Sequence, residues 1–171
     1  MTDDVAAPAV ALRLMTANEF DSWRELSIRN HAHQTATATG VSFEDAEQRA
    51  RDLLPRMLAQ GVRTEGMHFL ILVSELYGDV GSLWLGRHPE NPGAGYVYDL
   101  EIHEEFRGHG FGRAAMVAAE DFMRQLGNTQ LGLWVAGGND VARGLYDSLG
   151  YSVIGVSMSK ELSPPTHDGI S

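Results

Sequence analysis

Apolar residues alternate between positions 10 and 14, and a period of two predicts a short first strand there. Thr16, with Glu19 three residues on, has the form of a capping box, and Phe20, Trp23, Leu26, Ser27 and His31 then recur at the spacing of a first helix. A second helix opens with Ser42 as N-cap and Asp45 at its third position, and carries Ala46, Ala50, Leu53, Leu54 and Met57 on one side. Pro55 is expected to kink or end it, because proline lacks the backbone donor and clashes with the preceding turn. Two strands follow over 68–75 and 80–87, joined around Tyr77, Gly78 and Asp79 as a hairpin.

Residues 88–95, rich in proline and turn formers, read as a loop before a long strand over 95–103. Its even positions are Tyr96, Tyr98, Leu100 and Ile102; its odd ones are Val97, Asp99, Glu101 and His103. Strict alternation makes one face apolar and the other acidic, and a bulge would break that parity. A helix is expected over 111–126 with a buried stripe of Ala115, Ala118, Ala119, Phe122 and Leu126. Then come a strand over 130–136, a Gly137-Gly138-Asn139 turn, a helix over 140–149 and a final strand over 151–160. This order predicts an α+β or α/β sandwich around one central sheet. Residues 1–9 and 163–171 lack apolar periodicity and read as loose tails, which leaves about 10–162 as the ordered part.

A chain of 171 residues, 43% of them hydrophobic, suits one domain with a sizeable core. The net charge of −10 removes the general attraction to phosphate backbones and anionic lipid, so neither nucleic acid nor a membrane surface is an expected partner. Without cysteine there are no disulfides, thiolate metal sites or thiol nucleophiles, in keeping with a reducing compartment. Acids at Asp3 and Asp4 stand where a signal peptide carries bases, and no run approaches the length of a membrane span, so a soluble cytoplasmic protein is expected. A homodimer stays open.

The chemistry concentrates in Arg107-Gly108-His109-Gly110-Phe111-Gly112-Arg113, where a strand gives way to a helix. Glycines free the backbone for close approach, and the helix N-terminus behind them offers unpaired N–H groups and the positive end of a dipole. That is a cradle for a pyrophosphate. The dinucleotide pattern G-x-G-x-x-G would need glycine where Arg113 stands, and the nucleotide loop G-x-x-x-x-G-K-[ST] has no match.

The run from Leu100, Glu101, Ile102 and His103 through Arg107 to Gly112 resembles motif A of the GNAT superfamily of acetyl-CoA-dependent N-acetyltransferases, in which R-x-x-G-x-G/A holds the coenzyme A pyrophosphate through backbone amides. Arg107, Gly110 and Gly112 occupy every defined position. The stretch from Asn139 to Tyr151 is similar to the family's N-x-x-A-x-x-L-Y-x-x-x-G-[FY]. The resemblance covers about 95–160 and implies a mixed, mostly antiparallel sheet flanked by helices on both faces. It also implies acetyl-CoA as co-substrate, with Leu100, Ile102, His103, Arg107, Gly108, His109, Gly110, Phe111, Gly112 and Arg113 around it, Asn139 near the pantetheine arm, Arg143 near the phosphates and Tyr146 near the thioester sulfur. On a helical wheel Asn139, Arg143 and Tyr146 share one side and Val141, Leu145 and Leu149 the other, the apolar side being expected in the core.

Acetyl transfer to a small-molecule or peptide amine has a definable requirement. An alkylammonium with a pKa of about 10.4 must lose a proton at pH 7, which costs about 4.6 kcal/mol. Glu101 and Asp99 are the candidate bases, directly or through water, with His103 third; Tyr146 is the candidate donor to the departing thiolate. A backbone N–H around Ile102 or His103 would polarise the acetyl carbonyl. Many relatives that acetylate peptide N-termini carry a glutamate where this chain reads Leu133-Trp134-Val135-Ala136, which disfavours a peptide acceptor; Trp134 is expected in the core. His31 and His33 diverge by about 200° on a helix and no metal site is expected, while Trp23, Asn30 and His31 are candidate acceptor-pocket residues. The competing readings are a non-catalytic acyl-CoA-binding or sensing module on the same fold, and an O-acetyl or longer-acyl transferase.

Overall fold

The computed structural model describes residues 8–160 and Leu162, so the expected tails lie outside the described residues apart from Pro8 and Ala9. Strand β1 (Ala11–Leu14) feeds α1 (Ala17–Thr39) through the expected capping box: the Glu19 N–H donates to Thr16 Oγ1 at 3.3 Å, and the Thr16 N–H donates to the Glu19 carboxylate at 2.7 Å. Arg13 on β1 donates to both Glu19 oxygens at 3.0 Å, and with the two Thr16 donors it lowers that carboxyl to about 2. Helix α2 (Phe43–Met57) starts on Ser42, whose Oγ accepts from the Asp45 N–H at 3.1 Å. Pro55 does not cut α2 short; it sits in the last turn and the helix runs on to Met57.

Strands β2 (Met67–Ser74), β3 (Gly78–Arg87) and β4 (Gly95–Ile102) continue the sheet, followed by α3 (Phe111–Gln125), β5 (Leu131–Leu133) and α4 (Asp140–Ser148). The order across the sheet is β1-β2-β3-β4-β5, antiparallel except for the parallel β4–β5 pair. This is the expected α+β class with a mixed, mostly antiparallel sheet. Each face carries its own apolar layer. Leu70, Leu72, Leu83, Leu85 and Val97 pack against Phe111, Ala115, Met116, Ala119 and Met123 of α3, with Leu145 and Leu149 of α4 at the margin. On the other face Phe69 and Trp84 meet Phe20 and Trp23 of α1, with Leu54 and Met57 of α2 beside them. Phe20, Trp23, Phe69 and Trp84 form an aromatic cluster with centroids 4.7–5.5 Å apart, within the range where edge and offset contacts are favourable.

Several expectations from periodicity are corrected. Leu26 and His31 face outward on α1, where Ile28 and Ala32 take the buried positions, and Leu53 is exposed on α2. The buried stripe of α3 takes in Met116 and Met123 beside Ala115 and Ala119, with Ala118 and Phe122 half-buried at its margin, while Leu126 lies beyond the last turn and is exposed. Val141 is 88% exposed, because only the second half of α4 reaches the sheet. Trp134 is also exposed, β5 having ended at Leu133. The expected final strand over 151–160 is no strand here: the segment pairs with no described strand and stays exposed beyond Tyr151.

The close approach of β3 to β4 depends on Gly81, where an added Cβ would stand 2.2 Å from the Glu101 carbonyl oxygen and 3.1 Å from Ile102 Cα. Backbone cannot yield as a side-chain tip does, so Gly81→Ala should lose about 1–3 kcal/mol. Gly144, in the middle of α4, has nothing within 4 Å of that position, and Gly144→Ala should gain roughly 0.5–1 kcal/mol through helix propensity. Thermal unfolding of the two variants should move in opposite directions from the parent.

Candidate active site

The site begins with a fault in the β3–β4 ladder. Trp84 pairs with Asp99 but Leu85 pairs with Val97, so Tyr98 is an extra residue. A bulge of this kind lets two consecutive side chains share a face. Val97 points to the α3 side, Tyr98 stacks on Trp84 at 4.6 Å on the α1 side, and Asp99 follows on that same side. The simple parity expected for β4 is therefore corrected: Tyr96 and Tyr98 pack edge to face at 4.9 Å on the α1 side, in line with Asp99 and Glu101, whereas Leu100 and Ile102 turn to the α3 layer.

Helix α1 closes over the two acids. Asn30 Nδ2 donates to Glu101 Oε2 at 2.8 Å, and the Ser27 hydroxyl lies 3.4 Å from Asp99 Oδ2. The buried Trp23 Nε1–H has no partner of normal hydrogen-bond geometry but is close enough to favour the Asp99 carboxylate. Burial, reinforced by the negative charge of Glu101, outweighs these donors and pushes Asp99 up from 3.8 to about 6. Arg107 Nη2 approaches Glu101 Oε1 at 3.7 Å while its Nε donates to the Ile102 carbonyl at 2.9 Å. A cavity of about 340 Å³ opens between α1 and β4, walled by Asn30, His33, Gln34, Asp99, Glu101 and Arg107. Sequence reasoning named Asn30 but missed His33 and Gln34. His33 stacks on Phe43 of α2 at 4.3 Å, a pairing that no local pattern announces. His31, by contrast, is exposed and outside the cavity.

Beside this cavity β4 loses its neighbour. The parallel ladder holds only Gly95, Tyr96 and Val97 against Leu131, Gly132 and Leu133, although β4 runs on to Ile102. The His103 N–H donates to the Val80 carbonyl at 2.9 Å, so it is committed to β3. Backbone alternation then turns the N–H groups of Leu100 and Ile102 to the open edge. Of the two amides expected near the acetyl carbonyl, only that of Ile102 is free to face it.

The glycine loop supplies the second half of the site. Gly108 and Gly110 adopt φ of +77° and +86°, which other residues rarely do, and Gly110 is the N-cap of α3. No side chain caps this terminus and no acid stands in its first turn, so the N–H groups of Phe111, Gly112 and Arg113 have no partner inside the helix. The lack of a Cβ at Gly112 brings α4 close: an added one would stand 3.3 Å from Leu145 Cδ2. Arg113 and His109 are exposed around the loop, and Arg113 donates to the Ser148 hydroxyl, tying α3 to α4.

Helix α4 borders the open edge from the other side. Asn139 is its N-cap, Oδ1 accepting from the Ala142 N–H at 3.1 Å, and Arg143 folds back to donate to the Gly137 carbonyl at 3.1 Å. Tyr146 is half-buried, and both burial and the negative charge of Asp99 raise its hydroxyl pKa. That electrostatic coupling puts Tyr146, expected as proton donor, in the field of Asp99, expected as base. Among the described residues no group of three or more His, Cys, Asp or Glu side chains could hold a metal ion.

Known proteins share this fold. The chain is 28% identical over 155 residues to the uncharacterized N-acetyltransferase YdgE of Bacillus subtilis, spanning 90% of this chain and 99% of that one. It is 30% identical over 154 residues to YycN of the same organism, also named an uncharacterized N-acetyltransferase, with the same coverage. The crystal structure of YycN superposes with a TM-score of 0.85 at 29% identity, covering 91% of this chain and all of that one. A sequence model of the Acetyltransferase (GNAT) family matches residues 27–151, from the middle of α1 to the last residue of the motif on and after α4, and the chain belongs to that family of N-acetyltransferases.

Proposed function

We propose that the chain is an acetyl-CoA-dependent N-acetyltransferase, a single domain over about 10–162, that moves an acetyl group to a primary amine by direct transfer. The observation that carries this reading is the cavity between α1 and β4, in which Asp99 and Glu101 stand beside the open edge of β4. The lack of cysteine suits work in a reducing compartment such as the cytoplasm, and no helix among the described residues is long and apolar enough to cross a membrane.

The residues around the edge fit the co-substrate. Free N–H groups of Phe111, Gly112 and Arg113, together with the left-handed Gly108 and Gly110, suit a pyrophosphate, and Arg113 and His109 stand beside it. Leu100 and Ile102 offer edge amides to an extended amide-bearing arm, as an added strand would. Asn139 and Arg143 flank the same edge from α4. When bound, acetyl-CoA supplies an acyl group already activated on a thiol leaving group.

The chain's own residues then handle protons. Glu101, held by Asn30 and faced by Arg107, attracts the cationic acceptor. Asp99, with its carboxyl near 6, is ionised at neutral pH yet basic enough to take the ammonium proton, directly or through water. The Ile102 N–H polarises the acetyl oxygen. Tyr146 stays protonated, because its pKa is raised, and donates to the sulfur as it leaves.

Titration calorimetry with acetyl-CoA, followed by mass-spectrometric screening of an amine panel, tests the reading: no heat and no acetylated product would end it. Tyr146→Phe should lower kcat by roughly 10²- to 10⁴-fold with coenzyme A affinity nearly unchanged. In the parent kcat/KM should rise with pH through about 6 as Asp99 ionises, and Asp99→Asn should lose that limb. The same carboxyl has a stability signature of fixed sign. Its folded pKa lies above its ordinary 3.8, so the folded state binds the extra proton and stability falls as pH rises from about 4 to about 6. Asp99→Asn should therefore be more stable than the parent at pH 7.5, by on the order of 2 kcal/mol, while being less active.

A further inference from the structure

The side chain of Arg107 turns back towards β4. Its Nε donates to the Ile102 carbonyl at 2.9 Å and its Nη2 points to Glu101 Oε1, so the guanidinium forms part of the wall of the cavity between α1 and β4. It is the single guanidinium in that wall, and its side chain is 59% exposed. Among the described residues its Nη groups have no hydrogen-bond partner, because the 3.7 Å to Glu101 is an ionic contact beyond hydrogen-bond reach.

Glu101 is prepared in the same way. Asn30 Nδ2 takes its Oε2 at 2.8 Å, which leaves Oε1 turned to Arg107 and the cavity. A carboxylate oxygen and a guanidinium edge therefore stand 3.7 Å apart on one wall, each without a hydrogen-bonded partner among the described residues, and Asp99 lines the cavity beside them. Both ends of the pair are fixed by other bonds, from Asn30 on the acid and to the Ile102 carbonyl on the arginine. Held apart in this way, the pair is poor as a surface ion pair and well placed to receive two opposite charges.

Charges at this spacing match a molecule that carries both on one carbon. At standard bond lengths and angle, the ammonium nitrogen of an α-amino acid lies about 2.5 Å from its carboxyl carbon. The ammonium then meets Glu101 and Asp99, and the carboxylate takes the Nη edge of Arg107, a planar fork suited to both its oxygens. A second ammonium, as in a polyamine, would face the guanidinium and be repelled. A peptide N-terminus presents an uncharged carbonyl at that point, and a simple monoamine presents nothing; either leaves the Arg107 donors without an anion.

We infer that the acceptor is a free α-amino acid and that Arg107 selects it by its carboxylate, an inference that rests on the acetyl-transfer reading above. The amine nitrogen forms its bond to the acetyl carbon as the carbon–sulfur bond breaks. One ammonium proton leaves through Asp99 to solvent, and another replaces the proton that Tyr146 gives to sulfur. The products are an N-acetylamino acid, coenzyme A and one proton. Because Nε ties Arg107 to Ile102, the residue whose N–H faces the acetyl oxygen, a carboxylate held there keeps the amine beside the thioester.

The common primary-amine amino acids, each beside its carboxamide and its decarboxylated amine, are assayed with acetyl-CoA by mass spectrometry of the products, with spermidine and a tripeptide in the same set. One or more amino acids should be acetylated with kcat/KM at least about 10-fold above the matching carboxamide and amine, the loss expected when a charge-assisted bond is removed. That preference should vanish in Arg107→Gln, the drop lying in the KM of the amino acid rather than in the calorimetric affinity for coenzyme A. A fall in coenzyme A affinity that matches the fall in activity would put Arg107 on the co-substrate and overturn the proposal. Carboxamides, amines, spermidine or the tripeptide acetylated by the parent as well as the amino acids would overturn it too, while acetyl transfer itself would stand. No product from any acceptor would end the acetyl-transfer reading and this inference with it.

Discussion

Everything at the centre of this molecule depends on one extra residue in β4. Without the bulge at Tyr98, strand alternation would send Asp99 and Glu101 to the same side as Val97, into the apolar layer under α3. A carboxylate there would face Met116 and Leu85 with no donor. With the bulge, both acids come out beneath α1, where Ser27 and Asn30 meet them, and the aromatic pair Trp84–Tyr98 fills the space beside them. The same irregularity falls where β5 leaves β4, directly after the last ladder pair at Val97, so the fault that aims the carboxylates also adjoins the open edge. The irregularity in the ladder and the site's geometry are one feature.

The sequence was informative wherever a local rule had a local cause. The Thr16–Glu19 capping box, the Ser42 cap and the glycines at 108 and 110 are satisfied within a few residues, so spacing alone revealed them. Periodicity was weaker at saying which side of an element meets which layer. Leu26, Val141 and Leu126 sit at plausible positions on their wheels, but each lies where no neighbouring element reaches. Parity in β4 failed for the same reason: the register is set by a partner strand and a break at Trp84 and Leu85. Asn30, His33 and Gln34 gave still less signal, since Asn30 matters only because Glu101, 71 positions away, receives its amide. The final segment is the instructive failure, because its alternating pattern is strand-like and only its pairing within the described chain is missing.

Electrostatics in this protein is arranged by neighbourhood rather than by total. A chain of net charge −10 is poorly matched to a polyanion, yet the loop before α3 offers backbone donors whose partial charges do not depend on side-chain composition. The three arginines expected around the co-substrate are each tied to protein: Arg107 to the Ile102 carbonyl, Arg113 to Ser148 and Arg143 to the Gly137 carbonyl. They brace the loop and the ends of α4 while still lending positive potential. The acids are grouped beneath α1, where Glu101 faces Arg107, and burial together with the negative charge of Glu101 raises the pKa of Asp99.

The long helix α1 is fastened at its beginning, through Arg13, Glu19 and the aromatic cluster around Trp23, but its later turns contribute only Ala32 to the buried layer. Those later turns carry His33 and Gln34, the side chains that wall the cavity opposite the carboxylates. Changes there would alter what the cavity admits while leaving the bulge, the glycine loop and Tyr146 untouched. If that cavity takes the acceptor, as proposed above, such a division lets the range of accepted amines drift under selection without re-inventing the chemistry, so descendants of this scaffold can diverge in diet while keeping one reaction.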